Sequence, residues 1–286
     1  MSQDREVFQG GVAVITGAGA GIGAGLARRA SALGMKVVLA DIAQERIESV
    51  ATELRAAGGE ALPMMVDVSQ PDELHRLADK VHSTWGDVRL LINNAGIETL
   101  GYIWEIPLQR WEKTLNINIH GIVHGVRAFL PRMLERGTPA YVANVASVGA
   151  FGQMPLQTAY IMSKHAVQSF TECLALEIDT TGKPIHVSAV LPGMVKTRIF
   201  EPTAPTEGEN AIATRHRKVM REMMAAYGMD LEPACQTILA QIASGAFWVS
   251  THPEMTDEIV AHRIEFLKHR NKPVLADAAR SILEAT

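Results

Sequence analysis

Tyr160 and Lys164 stand four residues apart, a spacing that puts a phenol and an ammonium on one face of a helix. A free tyrosine has a pKa of about 10 and is a poor base at neutral pH, but a neighbouring cation stabilises its phenolate. Such a pair can exchange a proton with an alcohol. Many solvated helices carry the same spacing, so the pair needs context. A second chemical signal is the run Thr16-Gly17-Ala18-Gly19-Ala20-Gly21-Ile22-Gly23. Glycines at alternate positions permit positive φ and leave one side of the loop without Cβ atoms. A pyrophosphate can then lie on N–H groups at the positive end of a helix. A tight strand-to-helix turn would also use glycine, but a side bare of Cβ atoms is what a close ligand requires. Asp41 lies twenty residues beyond Gly21, where a carboxylate can accept hydrogen bonds from the ribose hydroxyls of an adenosine. Its charge would repel a 2′-phosphate, and neither the glycine loop nor Ile42 and Ala43 offers a cation. NAD(H) is therefore expected in preference to NADP(H). Asp41 as the N-cap of the following helix is a compatible alternative.

These residues need a scaffold that gathers strand ends. Short β-branched runs at 12–16, 36–41, 61–66 and 88–93 alternate with helical stretches at 22–33, 43–57 and 71–85. Val37-Val38-Leu39-Ala40 and Leu90-Leu91-Ile92 are almost wholly apolar, as strands covered on both faces are. The alternation continues with a helix over 108–136, a strand at 141–145, a helix over 158–180 and a strand at 186–191. A helix over 232–244, a short strand at 247–249 and a helical tail follow. The expected fold is α/β: a Rossmann-like, doubly wound parallel sheet in three α/β/α layers, forming a single domain over 1–286. Residues 1–150 mainly build the cofactor side. Residues 193–230, rich in Pro, Thr, Glu and Met, read as an irregular substrate loop or lid. Within it Met220, Met223, Met224 and Tyr227 recur at helical spacing, so a short helix would present an apolar face. Residues 250–286 read as a helical C-terminal extension.

The ordered set Thr16-Gly17-x-x-x-Gly21-x-Gly23, Asn93-Asn94-Ala95-Gly96, Asn118, Ser147, Tyr160-x-x-x-Lys164 and Pro192-Gly193 resembles the short-chain dehydrogenase/reductase family over residues 12–197. The resemblance implies an NAD(H)-dependent oxidoreductase that interconverts a secondary alcohol and a ketone. Tyr160 would be the acid/base, and Lys164 would hold the nicotinamide ribose and lower the Tyr160 pKa. Ser147 would orient the reacting oxygen. Asn118, preferred over Asn116 because Ile119-His120-Gly121 follows it, would support a proton-relaying water. For the cofactor the resemblance implies Gly17, Gly19, Gly21, Ile22, Gly23 and Asp41. It adds Asp67 and Val68 at the adenine, with a turn-forming Asp67 as a close alternative. Asn94, Ala95 and Gly96 lie beside the cofactor, where their role is partly structural. Pro192, Gly193, Val195 and Thr197 form the nicotinamide segment. Ser147, Met154, Tyr160, Met194 and Phe200 are expected at the substrate, a bulky or aromatic molecule. Other reactions of the same site (epimerisation, dehydration, C=N reduction) and a catalytically silent NAD(H) sensor or scaffold are the alternatives. The chain departs from the family where Gly245-Ala246-Phe247-Trp248 leads into a further stretch. That ending is similar to a subset including lignin-model Cα-alcohol dehydrogenases. It puts the family's usual homotetramer in doubt, and a homodimer packed through the helices carrying Asn118 and Tyr160 is expected.

A net charge of −4 gives no electrostatic reason to bind nucleic acid or an anionic membrane. No run of membrane-spanning length or secretory leader is read, and two cysteines, Cys173 and Cys235, are too few for a disulfide framework. Both read as small buried apolar residues in a cytoplasmic protein. His120 and His124 have metal-ligand spacing but no partner acid, so no metal site is expected. His216, His252 and His262 read as solvated or packed, and the basic cluster 268–272 as a solvated helix end.

Overall fold

The computed structural model describes residues 2–201, 210–275, 280 and 283. Its strands are β1 (Val12–Thr16), β2 (Lys36–Asp41), β3 (Ala61–Met65), β4 (Val88–Asn93), β5 (Ala140–Val145), β6 (Ile185–Leu191) and β7 (Trp248–Ser250). All neighbours pair in parallel, in the order β3-β2-β1-β4-β5-β6-β7. The helices are α1 (Gln3–Phe8), α2 (Gly21–Ala32), α3 (Gln44–Ala56), α4 (Pro71–Trp85), α5 (Leu108–Leu115), α6 (Gly121–Arg136), α7 (Thr158–Thr181), α8 (Ala211–Tyr227), α9 (Leu231–Ala243) and α10 (Pro253–His269).

Side chains alternate across a strand, so each strand feeds two cores. Ala13, Ile15, Val37 and Leu39 meet Leu26 of α2, Ile47 of α3 and Ile238 of α9 on one face. Val14, Val38, Leu91 and Val142 meet Leu77 of α4, Phe129 of α6 and Ile178 of α7 on the other. The chain leaves β1 toward β2 and β3, then returns to β4 on the opposite side of β1. The crevice beyond the ends of β1 and β4 is therefore the topological switch point where ligands bind in such sheets.

Three expectations change. The helix over 108–136 is interrupted: a π turn at Asn116–His120 separates α5 from α6. At Gly121 a Cβ would meet Val68 Cγ2 at 2.7 Å, so glycine lets the restarted helix pass β3's exit loop. Within 193–230 the helix is not short: α8 has 17 residues, and its start is fixed by Asn210, whose side chain accepts from Ala213 N at 2.8 Å. Residues 202–209 of that loop and most of 276–286 in the expected extension lie outside the described residues. At the N-terminus, α1 was not foreseen. Its polar sequence hides a docked end, with Phe8 fully buried edge-on to Tyr141 and Asp4 paired with Arg29 at 2.5 Å. Among the described residues, no helix is long and apolar enough to cross a membrane.

Candidate active site

The ends of β1 and β4 are stapled. Thr16 Oγ1 accepts from the backbone N–H of Asn94 at 2.9 Å and of Ala95 at 3.1 Å. Asn94 Nδ2 returns to the Thr16 and Gly17 carbonyls at 2.8 and 3.3 Å. Gly17 has φ of +65°, and a Cβ on Gly23 would lie 2.1 Å from the Gly17 carbonyl oxygen. These glycines are thus demanded by the chain's own packing, which corrects the expectation that only a ligand explains them. What does suit an anionic ligand is the start of α2, which has no side-chain cap and no acid in its first turn. Its leading N–H groups face the crevice with the helix's positive end. Asp41 Oδ2 accepts from Gly19 N and Oδ1 from Ala43 N, each at 3.0 Å. Asp41 therefore folds the turn before α3 rather than serving as its N-cap, which is Ala43. Asp67 also closes a turn, accepting from Ser69 N and Oγ at 2.9 and 2.7 Å. Val68 beside it is buried.

Ser147 follows β5, and its Oγ accepts from Gly149 N at 3.0 Å. Tyr160 and Lys164 project from the first turns of α7, with Lys164 Nζ 5.5 Å from the Tyr160 ring centre and donating to the Val145 carbonyl at 2.9 Å. Burial holds the Tyr160 phenol well above its ordinary pKa, and Glu98 pushes the same way whenever it is ionised. The Ser147 hydroxyl opposes both. Burial lowers the Lys164 ammonium from 10.5 to about 8, with Glu98 opposing. For the free protein, the cost of taking a phenolate out of water outweighs the Ser147 contact, so the Tyr160 phenol lies above its ordinary pKa. Asn118, fully buried in the π turn, grips Ile97: its Oδ1 accepts from Ile97 N at 2.9 Å, and its Nδ2 donates to Ile97 O and Ser163 Oγ, each at 3.0 Å. This holds the loop after Gly96 against α7. A Cβ on Gly96 would stand 3.5 Å from Asn118 Oδ1 and 3.6 Å from Lys164 Nζ.

The segment after β6 closes the crevice. Gly193 N donates to Thr251 Oγ1 at 3.0 Å, and Val148 N to the Pro192 carbonyl at 3.1 Å. A parallel bridge joins Val195 to Met229 through the Met194 carbonyl and the Lys196 N–H, at 2.8 and 2.9 Å. The peptide groups of Val195 itself therefore point away from that bridge. Thr197 N and Oγ1 face Met224 Sδ at 3.4 and 3.7 Å, and a Cβ on Gly21 would approach Thr197 at 3.4 Å. Glycine loop and lid base are thus close neighbours. Phe200 packs with Leu100, Ala213 and Met224, with Met194 partly buried beside them. Met154 is half-buried in the turn after Ser147. Tyr227 is 79% exposed, which removes it from the apolar face expected of α8. The buried face of α8 runs through Ala213, His216, Arg217 and Met224, its apolar contacts made by Ala213 and Met224 with Met220 beside them.

The sequence signature described as short chain dehydrogenase matches residues 11–208. The chain belongs to the short-chain dehydrogenase family. A short-chain dehydrogenase/reductase from Burkholderia phymatum, solved in complex with NAD, superposes with a TM-score of 0.88 at 32% identity, over 94% of this chain and 98% of that one. The chain is 37% identical to 1-deoxy-11-beta-hydroxypentalenate dehydrogenase from Streptomyces exfoliatus, over 68% of this chain and 70% of the relative. It is 32% identical to "Probable oxidoreductase EphD" from Mycobacterium tuberculosis over 80% of its own length, and the match spans only 39% of EphD.

This short-chain dehydrogenase carries polar groups at its site that the sequence reading missed. Glu98 follows Gly96 by two residues, and its side-chain oxygens are buried without a protein hydrogen-bond partner. Burial drives its carboxyl well above the usual range against the opposing charges of Arg217 and Lys164. His216 is 1% exposed, not solvated, and both ring nitrogens lack a protein partner. Arg217 is buried and donates to the Phe200 carbonyl at 3.4 Å. Arg46, near the start of α3, packs its Cβ 3.0 Å from where a Gly19 Cβ would lie. The available signal was an acid inside the apolar run Ala95-Gly96-Ile97-Glu98-Thr99-Leu100, and two charged types interrupting the apolar stripe of α8. Elsewhere Cys173 is exposed, against expectation, while Cys235 is buried. His124 is tied to the Val68 carbonyl at 3.1 Å and His120 to Asn116 Oδ1 at 3.0 Å. His252 packs against Gly193 and pairs with Thr251 Oγ1 at 2.7 Å.

Proposed function

We propose that this oxidoreductase interconverts a secondary alcohol and a ketone with NAD(H), using Tyr160 as the acid/base. The observation that carries the reading is the convergence of Ser147, Tyr160 and Lys164 at the crevice that also receives the glycine loop and the start of α2. In the reducing direction the Tyr160 hydroxyl protonates the carbonyl oxygen, while the Ser147 hydroxyl orients that oxygen. In the oxidising direction Tyr160 takes the proton from the alcohol. The nicotinamide, when bound, supplies or accepts the hydride. Lys164 holds the ribose beside it and, as the ammonium, favours proton release from Tyr160. Asn118 fixes the Ile97 loop on which the site rests and supports the relay of protons toward Lys164.

Asp41 supports NAD(H) over NADP(H): its carboxylate sits on the glycine loop, where a 2′-phosphate would meet like charge. Asp41→Ala is expected to raise the NADP/NAD ratio of kcat/KM at least tenfold, measured by nicotinamide absorbance. Tyr160→Phe is expected to lower kcat by about 10²- to 10⁴-fold with NADH binding retained. Turnover unchanged by that substitution would refute the assignment. We place the protein in the cytoplasm and its assembly as a homodimer, with a homotetramer as the alternative.

A further inference from the structure

Glu98 poses a problem that the reaction does not solve. Its loop leaves β4 beside Tyr160, and Asn118 grips it at Ile97, the residue before Glu98. Both carboxyl oxygens are nevertheless buried without a protein partner. The adjoining Thr99 N–H favours the charge without closing a hydrogen bond. Of the catalytic groups, Lys164, which donates to the Val145 carbonyl, acts on it only through its charge, and the Tyr160 phenol lies with Ser147. Buried polar groups in folded proteins are paired, and the exceptions mark places where something else completes them.

A second exception stands nearby. His216, on the inner face of α8, is 1% exposed with neither ring nitrogen paired to protein. The two elements meet: Leu100, two residues beyond Glu98, packs against Ala213 and Met224 of the same helix face. The next residue, Arg217, is felt electrostatically by both Glu98 and His216. Burial drives the Glu98 carboxyl toward its neutral form, and a neutral carboxylic acid offers one donor and one acceptor, as a neutral imidazole does. Two amphiprotic side chains at one apolar lid suit a group that both gives and takes a hydrogen bond.

We propose that Glu98 and His216 recognise a hydroxyl group of the substrate other than the reacting one, so that the preferred substrate is a hydroxy ketone or the corresponding diol. This rests on the alcohol/ketone reading above and deepens it. A site built to hydrogen-bond a hydroxyl rejects the analogue lacking it, because its own polar groups are then left unpaired.

The test uses the full chain with NADH and two isosteric ketones, hydroxymethyl phenyl ketone and ethyl phenyl ketone. The wild type is expected to favour the hydroxy ketone by about 100-fold or more in kcat/KM. Glu98→Leu is expected to collapse that ratio to below about fivefold, His216→Leu to reduce it, and Glu98→Gln, which keeps a donor and an acceptor, to restore part of it. Since Glu98→Leu removes an unpartnered buried acid, it is also expected to raise Tm by a few degrees. A wild-type ratio near unity overturns the proposal, as does a ratio that survives Glu98→Leu. A fall in Tm on that substitution also overturns it, for it would make Glu98 a structural group completed by water. Failure to turn over either ketone, with NADH still bound, overturns instead the alcohol/ketone reading beneath it.

Discussion

At the scale of single residues, the site is governed by burial. Lys164 carries the clearest consequence for pH. Its folded pKa of about 8 lies below the 10.5 of the exposed side chain, so below pH 8 both states hold the proton and the folded one does so at a cost. That cost is on the order of 3 kcal/mol. Between about pH 8 and 10.5 only the unfolded chain binds the proton, and stability from this group rises with pH. Lys164→Met is therefore expected to be more heat-stable than the wild type at pH 7, with the gap narrowing by pH 10. Melting curves across that range check it, and a gap that widens with pH contradicts the burial argument. Glu98 works in the opposite sense. Its raised pKa gives a contribution that is complete below its unfolded value of 4.5 and is lost as pH climbs through the folded one.

At the scale of elements, two ties decide whether the site exists. The staple between Thr16 and Asn94 fixes the exits of β1 and β4, and with them the glycine loop. Asn94→Ala leaves the buried Thr16 carbonyl without that donor and is expected to cost about 1–3 kcal/mol. It should weaken NADH binding as well, measured by fluorescence titration. The second tie is at the start of α8, where Asn210 caps the helix at Ala213 N and its Nδ2 reaches Glu105 on the loop after β4. Asn210→Ala is expected to cost about 1 kcal/mol of local helix stability and to raise KM more than it lowers kcat. Steady-state kinetics with the ketones named above separate the two effects. A lid that merely filled the core would move neither constant.

At the scale of the whole molecule, the sheet is complete within one chain, but the outward stripe of α7 is not covered. Met162 is 41% and Leu176 67% exposed, with Cys173 between them at the surface. The proposed homodimer would bury this stripe and so brace the helix that carries Tyr160. Leu176→Asp is expected to shift the molecular mass from dimer toward monomer, as measured by light scattering, and to lower Tm. A wild-type monomer would remove this role for α7.

The sequence alone was enough to read the alternation of strands and helices, because strands buried on both faces must be continuously apolar and their helices amphipathic. The bounds read for β1, β2, α4 and β4 are those of the folded chain. It also sufficed to pick out Ser147, Tyr160 and Lys164, since their types and order carry the family resemblance. Periodicity could not show the π turn around Asn118, because its five residues are too short a stretch for a period to be read. The docking of α1 was equally hidden, since it depends on Phe8 meeting Tyr141, more than a hundred residues away. The polar groups Glu98, His216 and Arg217 became visible only when the lid was laid against the loop after β4. Whether a charged side chain is solvated or buried is decided by what the folded chain places beside it, and no local spacing encodes that.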